Sequence, residues 1–366
     1  MNLLTGTIEK IEFIDKSWLE KAEARQMSLT KPPKSLGRLE EIANRLCAIQ
    51  ETLEPSVENR RIIVCAADHG VCSENVSPYP SEITAQMVSN FLRGGAAINA
   101  LAKVANAKLS IVDIGVKSEI PAMENSPNTF YKKRVANGTR NFTKEAAMSE
   151  KEMLDAVEIG IELALESKRK GETLVGLGEM GIGNTTAASA ICAALTGLAP
   201  SETTGRGTGA NDEMLAHKIE VVRRALAINQ PNSGDALDIL QTVGGFEIAC
   251  LVGVCIGAAS ERIAIVTDGF IATTAAALAV KLCPPIAAFV FASHLSAEKG
   301  HRALLELIGQ KPLFDLEMRL GEGTGAALAM NIIHSAVAAF CEMATFETAG
   351  ISENKQKANA VKKENI

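Results

Sequence analysis

An acid framed by glycines is the clearest chemical feature of the sequence. Glu322 lies in Leu320-Gly321-Glu322-Gly323-Thr324-Gly325, directly ahead of the apolar segment 326–346, which contains no Pro or Gly. Such a segment predicts a buried helix, so Glu322 is expected in the turn before it. Glycine neighbours allow close approach of a ligand, and the first N–H groups of a helix attract anions. An acid at this place can act on a ligand or only stabilise the helix dipole.

Two more glycine-rich stretches precede predicted helices, at 176–186 and 205–209, which favours one ligand shared by all three. The spacing Gly176-x-Gly178-x-x-Gly181, after a predicted strand at 172–175, also matches the dinucleotide-binding fingerprint. That fingerprint needs an acid at the end of the next strand. Glu202 has the right separation, but no strand pattern precedes it. The stretch therefore predicts a turn of N–H groups suited to phosphate.

Polar residues follow most of the predicted strands. Besides 172–175, β-branched and apolar runs predict strands at 61–67, 108–115, 264–267 and 287–291. The residues at their ends include Asp68, His69, Asp113, Asp268 and His294. A parallel sheet gathers such ends at one edge, where open α/β sheets hold ligands. Asp68, His69 and Asp268 are therefore candidate site residues.

Helical spacing and caps locate the remaining elements. The pattern predicts one or two helices within 1–30, and further helices at 36–50, 84–92 and 150–170. Ser149 is the expected N-cap of the last of these, with acids in its first turn. The polar stretch 117–147 is expected to be a loop excursion.

Composition excludes several classes of protein. The chain has 366 residues, 47% hydrophobic but only 4% aromatic, which suits helices packed on a parallel sheet. A net charge of −6 argues against nucleic-acid binding. The eight cysteines are scattered and are interpreted as reduced core thiols. The first 18 residues lack the apolar core of a signal peptide, and we expect neither a membrane span nor membrane binding, hence a soluble cytoplasmic protein.

The candidate residues favour acid–base chemistry on a phosphorylated ligand. The sequence contains no Gly-x-x-x-x-Gly-Lys-Ser/Thr loop, no Gly-x-Ser-x-Gly elbow and no His pair with familiar metal spacing. We therefore expect a carboxylate and phosphate-binding turns to act without a metal, a cofactor or a covalent nucleophile. Displacement at a phosphorylated sugar fits this set of groups, although other reactions would fit it too.

Seven motifs follow one another along the chain. They are Lys31-Pro32-Pro33-Lys34-Ser35-Leu36-Gly37-Arg38-Leu39-Glu40, Ala67-Asp68-His69-Gly70-Val71, 178–186, Val243-Gly244-Gly245-Phe246-Glu247, Asp268-Gly269-Phe270, 293–300 and 320–327. In this order they resemble the nicotinate-nucleotide:dimethylbenzimidazole phosphoribosyltransferase family. The resemblance covers about residues 20–350 and is more specific than any single motif.

The resemblance implies a reaction in cobalamin synthesis. Members of the family move the phosphoribosyl group of nicotinate mononucleotide onto 5,6-dimethylbenzimidazole, with inversion at the anomeric carbon, and release nicotinate. It implies that Glu322 is the general base. A dry turn would raise the pKa of Glu322 and the helix N-terminus would lower it; the sequence leaves the balance open.

The resemblance also implies the binding residues. Glu179, Gly181 and Lys218 match positions around the nucleotide, and Gly205, Gly207 and Ser296 are expected to add phosphate contacts. The acceptor base is expected against Tyr79, Gln86 and Met87. Some members carry Ser at the position of Tyr79 and Gln at that of Met87, so adenine, another benzimidazole or a phenol stays open as acceptor.

The family fold implies a doubly wound, mostly parallel α/β sheet with helices on both faces, plus a small helical domain, in a homodimer. We accordingly predict an α/β domain at 56–330. Residues 1–55 and the helix 331–352 are expected to build the small domain, and 353–366 to form a disordered tail.

Two other functions stay open at this stage. One is a nicotinamide-dependent dehydrogenase, suggested by the Gly176 fingerprint, which would be stabilised by NAD. The other is a non-catalytic module that binds bases or nucleotides, whose binding would survive loss of the Glu322 charge.

Overall fold

A computed structural model describes residues 2–121, 123, 125–207 and 209–352. The tail expected at 353–366 lies outside the described residues.

The larger part of the fold is built on one parallel sheet. Its strands are β1 (Arg60–Ala67), β2 (Ala107–Gly115), β3 (Thr129–Lys132), β4 (Leu174–Met180), β5 (Ala264–Thr267) and β6 (Val290–Ala292). They lie in the order β3-β2-β1-β4-β5-β6, and every described pair is parallel. This is the doubly wound order, whose direction reverses between β1 and β4. The predicted fold class is confirmed.

Helices connect and cover the strands. They are α1 (Leu3–Ile8), α2 (Lys16–Ser28), α3 (Arg38–Gln50), α4 (Ile83–Arg93), α5 (Ala97–Val104), α6 (Glu150–Arg169), α7 (Asn184–Thr196), α8 (Pro200–Thr203), α9 (Asp212–Asn229), α10 (Ala236–Val243), α11 (Phe246–Ser260), α12 (Phe270–Leu282), α13 (His301–Leu307) and α14 (Thr324–Glu342). Ser149 caps α6 as predicted, because its hydroxyl accepts the N–H of Glu152 while the Glu152 side chain returns to the backbone of Ser149.

The central strand β1 is buried along its whole length, as its β-branched sequence predicts. Its cation Arg61 is fully buried and has hydrogen-bond partners on three sides. The guanidinium donates to the hydroxyls of Ser110, Ser167 and Tyr131 at 2.8–3.0 Å. A buried charge is tolerated only when it is satisfied in this way.

Three strand predictions need correction. β4 continues to Met180, so Gly176 and Gly178 lie in a strand and not in a turn. A Cβ at Gly176 would lie 3.1–3.2 Å from Ile62 and Ala326, which shows that this glycine lets the start of α14 pack against the sheet. The polar stretch 117–147 contains an edge strand, β3. Its first and last residues are exposed, so it does not form the apolar run by which the other strands were predicted. Residues 284–289, which begin with two prolines, form a 3₁₀ turn, and β6 follows it.

The chain divides into two compact units. Of the described residues, the larger unit contains those up to Phe13 and those within Val57–Asn331, and the smaller contains Ile14–Ser56 and residues 332–352. In the larger, the N–H of Leu3 donates to Glu158 of α6 at 3.0 Å. In the smaller, Ala22, Ala43, Cys47 and Phe340 form a buried cluster.

The helix predicted at 326–346 forms as α14. It is 19 residues long and apolar enough to cross a membrane by length and composition alone. However, 56% of its most apolar 18-residue stretch is buried inside the protein. The core helix of a soluble protein can be equally long and apolar, so α14 is only weak evidence for a membrane span.

Helices α6 and α11 pack at the distance that glycine allows. All residues of α11 except Ser260 are buried. A Cβ at Gly160 of α6 would overlap the carbonyl oxygen of Cys250, and a Cβ at Gly253 of α11 would overlap that of Val157. The two backbones therefore approach too closely for any side chain at these points.

We predict that Gly160→Ala lowers the free energy of unfolding by about 1–3 kcal/mol, because the new methyl group must push the helices apart. Urea unfolding measures the change. Gly234→Ala is the control, since its methyl group would lie 3.2 Å from only the exposed Asn232 side chain. Equal effects of the two substitutions would contradict the close helix packing.

Candidate active site

A cavity of about 360 Å³ opens where β4, β5 and β6 end. This edge, beside the reversal of strand order, is where doubly wound sheets bind ligands. The lining residues are Val76, Ser77, Pro78, Tyr79, Ile83, Met87, Glu179, Met180, Gly181, Ile182, Gly183, Asn184, Thr185, Arg206, Gly207, Lys218, Gly269, Phe270, Ile271, His294, Ser296, Glu298, Arg319, Leu320, Gly321 and Glu322.

Glu322 lies in the turn before α14, as predicted, and lines the cavity. It has φ +64°, between Gly321 at +91° and Gly323 at +90°. Three successive left-handed residues form a turn that needs the flanking glycines. A Cβ at Gly323 would lie 2.9 Å from Ile62, and one at Gly321 would overlap the Glu179 carboxylate. The turn therefore holds a non-glycine residue in a strained conformation at the cavity wall.

The Glu322 carboxylate is almost completely buried, with 6% of the residue exposed. Its Oε2 accepts the N–H of Ile98, in the first turn of α5, at 3.3 Å. Burial raises the pKa of Glu322, and the N–H of Ile98 opposes the rise without cancelling it. At Glu322, burial is therefore the larger of these two effects on the pKa.

Asp268 holds the Glu322 turn but does not line the cavity. Its Oδ2 accepts the N–H of Gly323 at 2.9 Å, and its Oδ1 accepts the N–H of Gly325 at 2.7 Å. These are free donors at the start of α14, so Asp268 caps that helix and fixes the turn at once. The structure places it as a support of the site and not against the cavity.

Glu179 lines the cavity at the end of β4 and accepts a hydrogen bond from the side-chain amide of Asn184. Burial and then the nearby carboxylates of Asp268, Glu247 and Glu322 raise the pKa of Glu179 to about 8. Burial and the Glu322 carboxylate raise the pKa of Asp268 to about 7, against its backbone N–H bonds. The acids beside the cavity therefore retain protons near neutral pH.

One end of the cavity is suited to an anion. Lys218 is 2% exposed, and its Nζ donates to Thr185 Oγ1 at 3.0 Å. The Cα of Gly207 lies so close that a Cβ there would be 3.5 Å from that Nζ. Arg319 and Ser296 complete this end, which we call the phosphate end: Thr185, Gly207, Lys218, Ser296, Glu298 and Arg319. Burial lowers the pKa of Lys218, and Glu298 opposes this.

Another wall of the cavity is apolar. Pro78, Tyr79, Ile83 and Met87 line it, and Tyr79 is 45% exposed. Ile83 and Met87 share one face of α4 because they are four residues apart. Gln86 is exposed and is not among the lining residues, since its position points a quarter turn away. The structure does not bring Gln86 to the site.

Asp68 and His69 lie outside the cavity lining. Asp68 Oδ2 accepts the N–H of Lys117 at 2.8 Å. His69 is fully buried, and its Nε2 lies 2.7 Å from Glu247 Oε1. His69 instead lines an adjoining hollow with Tyr79 as a shared wall. Both residues fix the loop after β1. Gly205 also lies outside the lining, with its Cα against the Glu298 carboxylate.

His294 lines the cavity as a neutral base. Its ring stacks on Phe314 with centroids 5.8 Å apart, and its Nδ1 lies 2.9 Å from Ser293 Oγ. Burial lowers the pKa of His294 to about 4. The ring therefore adds no positive charge to the site at neutral pH.

Sequence reasoning missed Glu298, Arg319 and Thr185 as lining residues. Two of these residues could have been found from their closeness in sequence to predicted site residues. Glu298 follows the predicted phosphate ligand Ser296 by two residues, and Arg319 lies just before the glycine turn. Among the described residues, no group of three or more His, Cys, Asp or Glu could hold a metal ion.

The model of the phosphoribosyltransferase family DBI_PRT matches residues 11–351 of the chain. The chain belongs to this family. Two relatives, both named nicotinate-nucleotide–dimethylbenzimidazole phosphoribosyltransferase, match along their whole length. The one from Geobacter sp. (strain M21) is 48% identical over 352 residues, covering 96% of this chain and 100% of the relative. The one from Geotalea uraniireducens (strain Rf4) is 49% identical over 355 residues, covering 97% and 100%.

A solved structure agrees with the fold. CobT from Thermus thermophilus superimposes with a TM-score of 0.87 at 44% identity, covering 92% of this chain and 100% of that one. The chain is thus an enzyme of the transferase class, a phosphoribosyltransferase.

We predict that Asp268→Ala lowers the free energy of unfolding by about 1–3 kcal/mol, because the N–H groups of Gly323 and Gly325 lose their acceptors. Urea unfolding at pH 5 measures the loss, since the raised pKa of Asp268 makes its ionisation costly at higher pH. Asp155→Ala, which removes a surface pair with Lys151, is the control and should have a small effect. A loss no greater than in the control would contradict the clamp on the Glu322 turn.

We predict that Glu179→Gln stabilises the protein at high pH. The pKa of Glu179 is raised in the folded state, so the stability it contributes is present at low pH and is lost as the pH rises through about 8. The side chain of the variant cannot ionise. The difference in the free energy of unfolding, variant minus wild type, should therefore rise by about 2–4 kcal/mol from pH 5 to pH 9. Urea unfolding at both pH values measures this.

The exposed Glu306→Gln serves as the control for Glu179→Gln and should show no such gain. A Glu179→Gln difference that is equal at pH 5 and pH 9 would show that Glu179 ionises normally.

Proposed function

We propose that the protein transfers the 5-phosphoribosyl group of nicotinate mononucleotide to 5,6-dimethylbenzimidazole, giving α-ribazole 5′-phosphate and nicotinate in cobalamin synthesis. The observation that carries the proposal is a buried carboxylate, Glu322, in one cavity with both an apolar aromatic wall and a phosphate end. The names of the two relatives point to the same substrates.

Glu322 is proposed as the general base. The benzimidazole nitrogen attacks the anomeric carbon, the bond from that carbon to the nicotinate nitrogen breaks, and the bonding pair goes to the pyridinium ring. The benzimidazole must lose a proton, and the raised pKa of Glu322 makes its carboxylate a better acceptor than an exposed Glu. Attack opposite the leaving group inverts the anomeric carbon.

The two ends of the cavity fit the two parts of the substrates. Lys218, Thr185 and Ser296 offer a cation and hydroxyls to the 5′-phosphate. Tyr79, Ile83 and Met87 offer an apolar wall to the acceptor base. That wall lacks charged groups and would also accept adenine, another benzimidazole or a phenol. We further propose that the enzyme is a cytoplasmic homodimer, as the composition and the family resemblance suggest.

The dehydrogenase alternative loses its support, because Gly176 and Gly178 lie within β4 and expose no phosphate-binding turn. The chain between β1 and α4, where a doubly wound fold would carry that turn, reads Asp68-His69-Gly70 and lacks the fingerprint.

Product analysis tests the transferase proposal. Wild type and Glu322→Gln are incubated with nicotinate mononucleotide and 5,6-dimethylbenzimidazole, and nicotinate and the riboside phosphate are quantified with the anomeric configuration assigned by NMR. We expect the α-anomer from wild type and a rate lower by about 10²–10⁴ for the variant, which keeps the shape but not the basicity of the carboxylate.

Glu306→Gln is the matched control and should react like wild type. Formation of the β-anomer would refute inversion, and a fully active Glu322→Gln would refute the base. If wild type binds nicotinate mononucleotide but forms no product with any benzimidazole, purine or phenol, the chain is a binding module.

A further inference from the structure

A carboxylate already occupies the phosphate end. Glu298, between β6 and α13, lines the cavity and is 8% exposed. Its Oε1 accepts the N–H of Gly207 at 2.8 Å. Backbone N–H groups of glycine turns are typical donors to phosphate oxygens. Glu298 therefore makes a contact that a bound phosphate would otherwise make.

The second oxygen of Glu298 has no hydrogen-bond partner among the described residues. Oε2 is buried against Gly205, and a Cβ at that glycine would overlap the carboxylate. An ionised oxygen without water or a donor is costly. A protonated oxygen in the same place carries no charge and loses this cost.

The charges that face Glu298 come from several elements. Burial raises the pKa of Glu298 and outweighs Lys218 of α9, the N–H of Gly207 and Arg319, which favour the ionised form. Arg206 is engaged with Asp212, and Lys299 donates to the carbonyl of Ser201.

The nearby His301 adds no positive charge. Its Nδ1 accepts the N–H of Ser296 at 2.8 Å, and its Nε2 bonds to Thr273. Burial lowers the pKa of His301 to about 3, so the ring is neutral.

We propose that Glu298 is an internal anion of the phosphate end, and that a phosphate monoester binds there together with one proton, which Glu298 takes up. The inference rests on the proposed function, which places the 5′-phosphate at this end. The proton comes from solvent and is bound by the Glu298 carboxylate. The neutral carboxyl no longer repels the phosphate anion.

Proton-linked binding makes Glu298 a residue of specificity. The phosphate end accepts a dianion only as its own negative charge is removed, so affinity falls as the pH rises. A ligand without the phosphate group, such as nicotinate riboside, does not trigger the uptake.

Isothermal titration calorimetry tests the inference. Nicotinate mononucleotide is titrated into wild type and Glu298→Gln at pH 8 in buffers of different ionisation enthalpy. The slope of the observed binding enthalpy against the buffer ionisation enthalpy gives the number of protons taken up. The ligand phosphate is fully ionised at this pH, since its second pKa is about 6. Wild type should take up about one proton more than Glu298→Gln. The variant should also bind more tightly than wild type at pH 9.

One control and the choice of Gln as the replacement isolate Glu298. Glu306→Gln removes an exposed acid from α13 and should behave like wild type. Gln at position 298 keeps a carbonyl that can accept the N–H of Gly207, so the turn is retained while the charge is lost. Protons taken up by Glu179 or Asp268 are common to both proteins and cancel in the difference.

The outcomes separate the two proposals. Equal proton uptake by wild type and Glu298→Gln, or uptake with nicotinate riboside as large as with the nucleotide, overturns the Glu298 inference while the transferase proposal stands. Zero uptake by wild type overturns it without any variant. Absence of nicotinate mononucleotide binding refutes the proposed function and the inference with it.

Discussion

The site depends on one buried interaction, the acceptance of two backbone N–H groups by Asp268 at the start of α14. The N-terminal donors of a buried helix must be satisfied, and here a carboxylate from the end of β5 satisfies them. The interaction joins the sheet edge to the Glu322 turn. Glu322 can therefore be held in a left-handed conformation that costs free energy, because the clamp and the flanking glycines fix the turn around it.

Crowding of acids is the consequence of that arrangement. Asp268 lies close enough to raise the pKa of Glu179, and Glu322 raises the pKa of both. A protein of net charge −6 thus places buried carboxyls beside a cavity proposed to bind an anion. The resulting protons give the site neutral donors near one wall, while Lys218 and Arg319 supply positive charge at the other end.

A similar interaction, between a carboxylate and the backbone of a glycine turn, occurs at the phosphate end. Glu298 contacts the turn at Gly207 as Asp268 contacts the turn at Gly323, in each case through a backbone N–H. The difference is exposure to the cavity, since Glu298 lines it and Asp268 does not. One acid therefore fixes the turn that carries Glu322, and the other is placed to respond to a ligand.

The sequence by itself determined the parallel sheet, the cap of α6 and the turn at Glu322, because continuous apolar runs, a capping box and paired glycines are local signals. It misplaced Gly176 and Gly178, since a glycine needed for close packing against Ala326 looks the same in the sequence as a glycine needed for a turn. The sequence also predicted Asp68, His69 and Gln86 at the site, but none of them lines the cavity. A residue next to a strand end, or on a helix beside the cavity, need not point its side chain into it. Only the tertiary structure decided that Asp268 supports the turn, that Glu298 lines the cavity and that burial outweighs the hydrogen bond from Ile98 in setting the pKa of Glu322. These depend on distances between segments far apart in the chain, which no local pattern encodes.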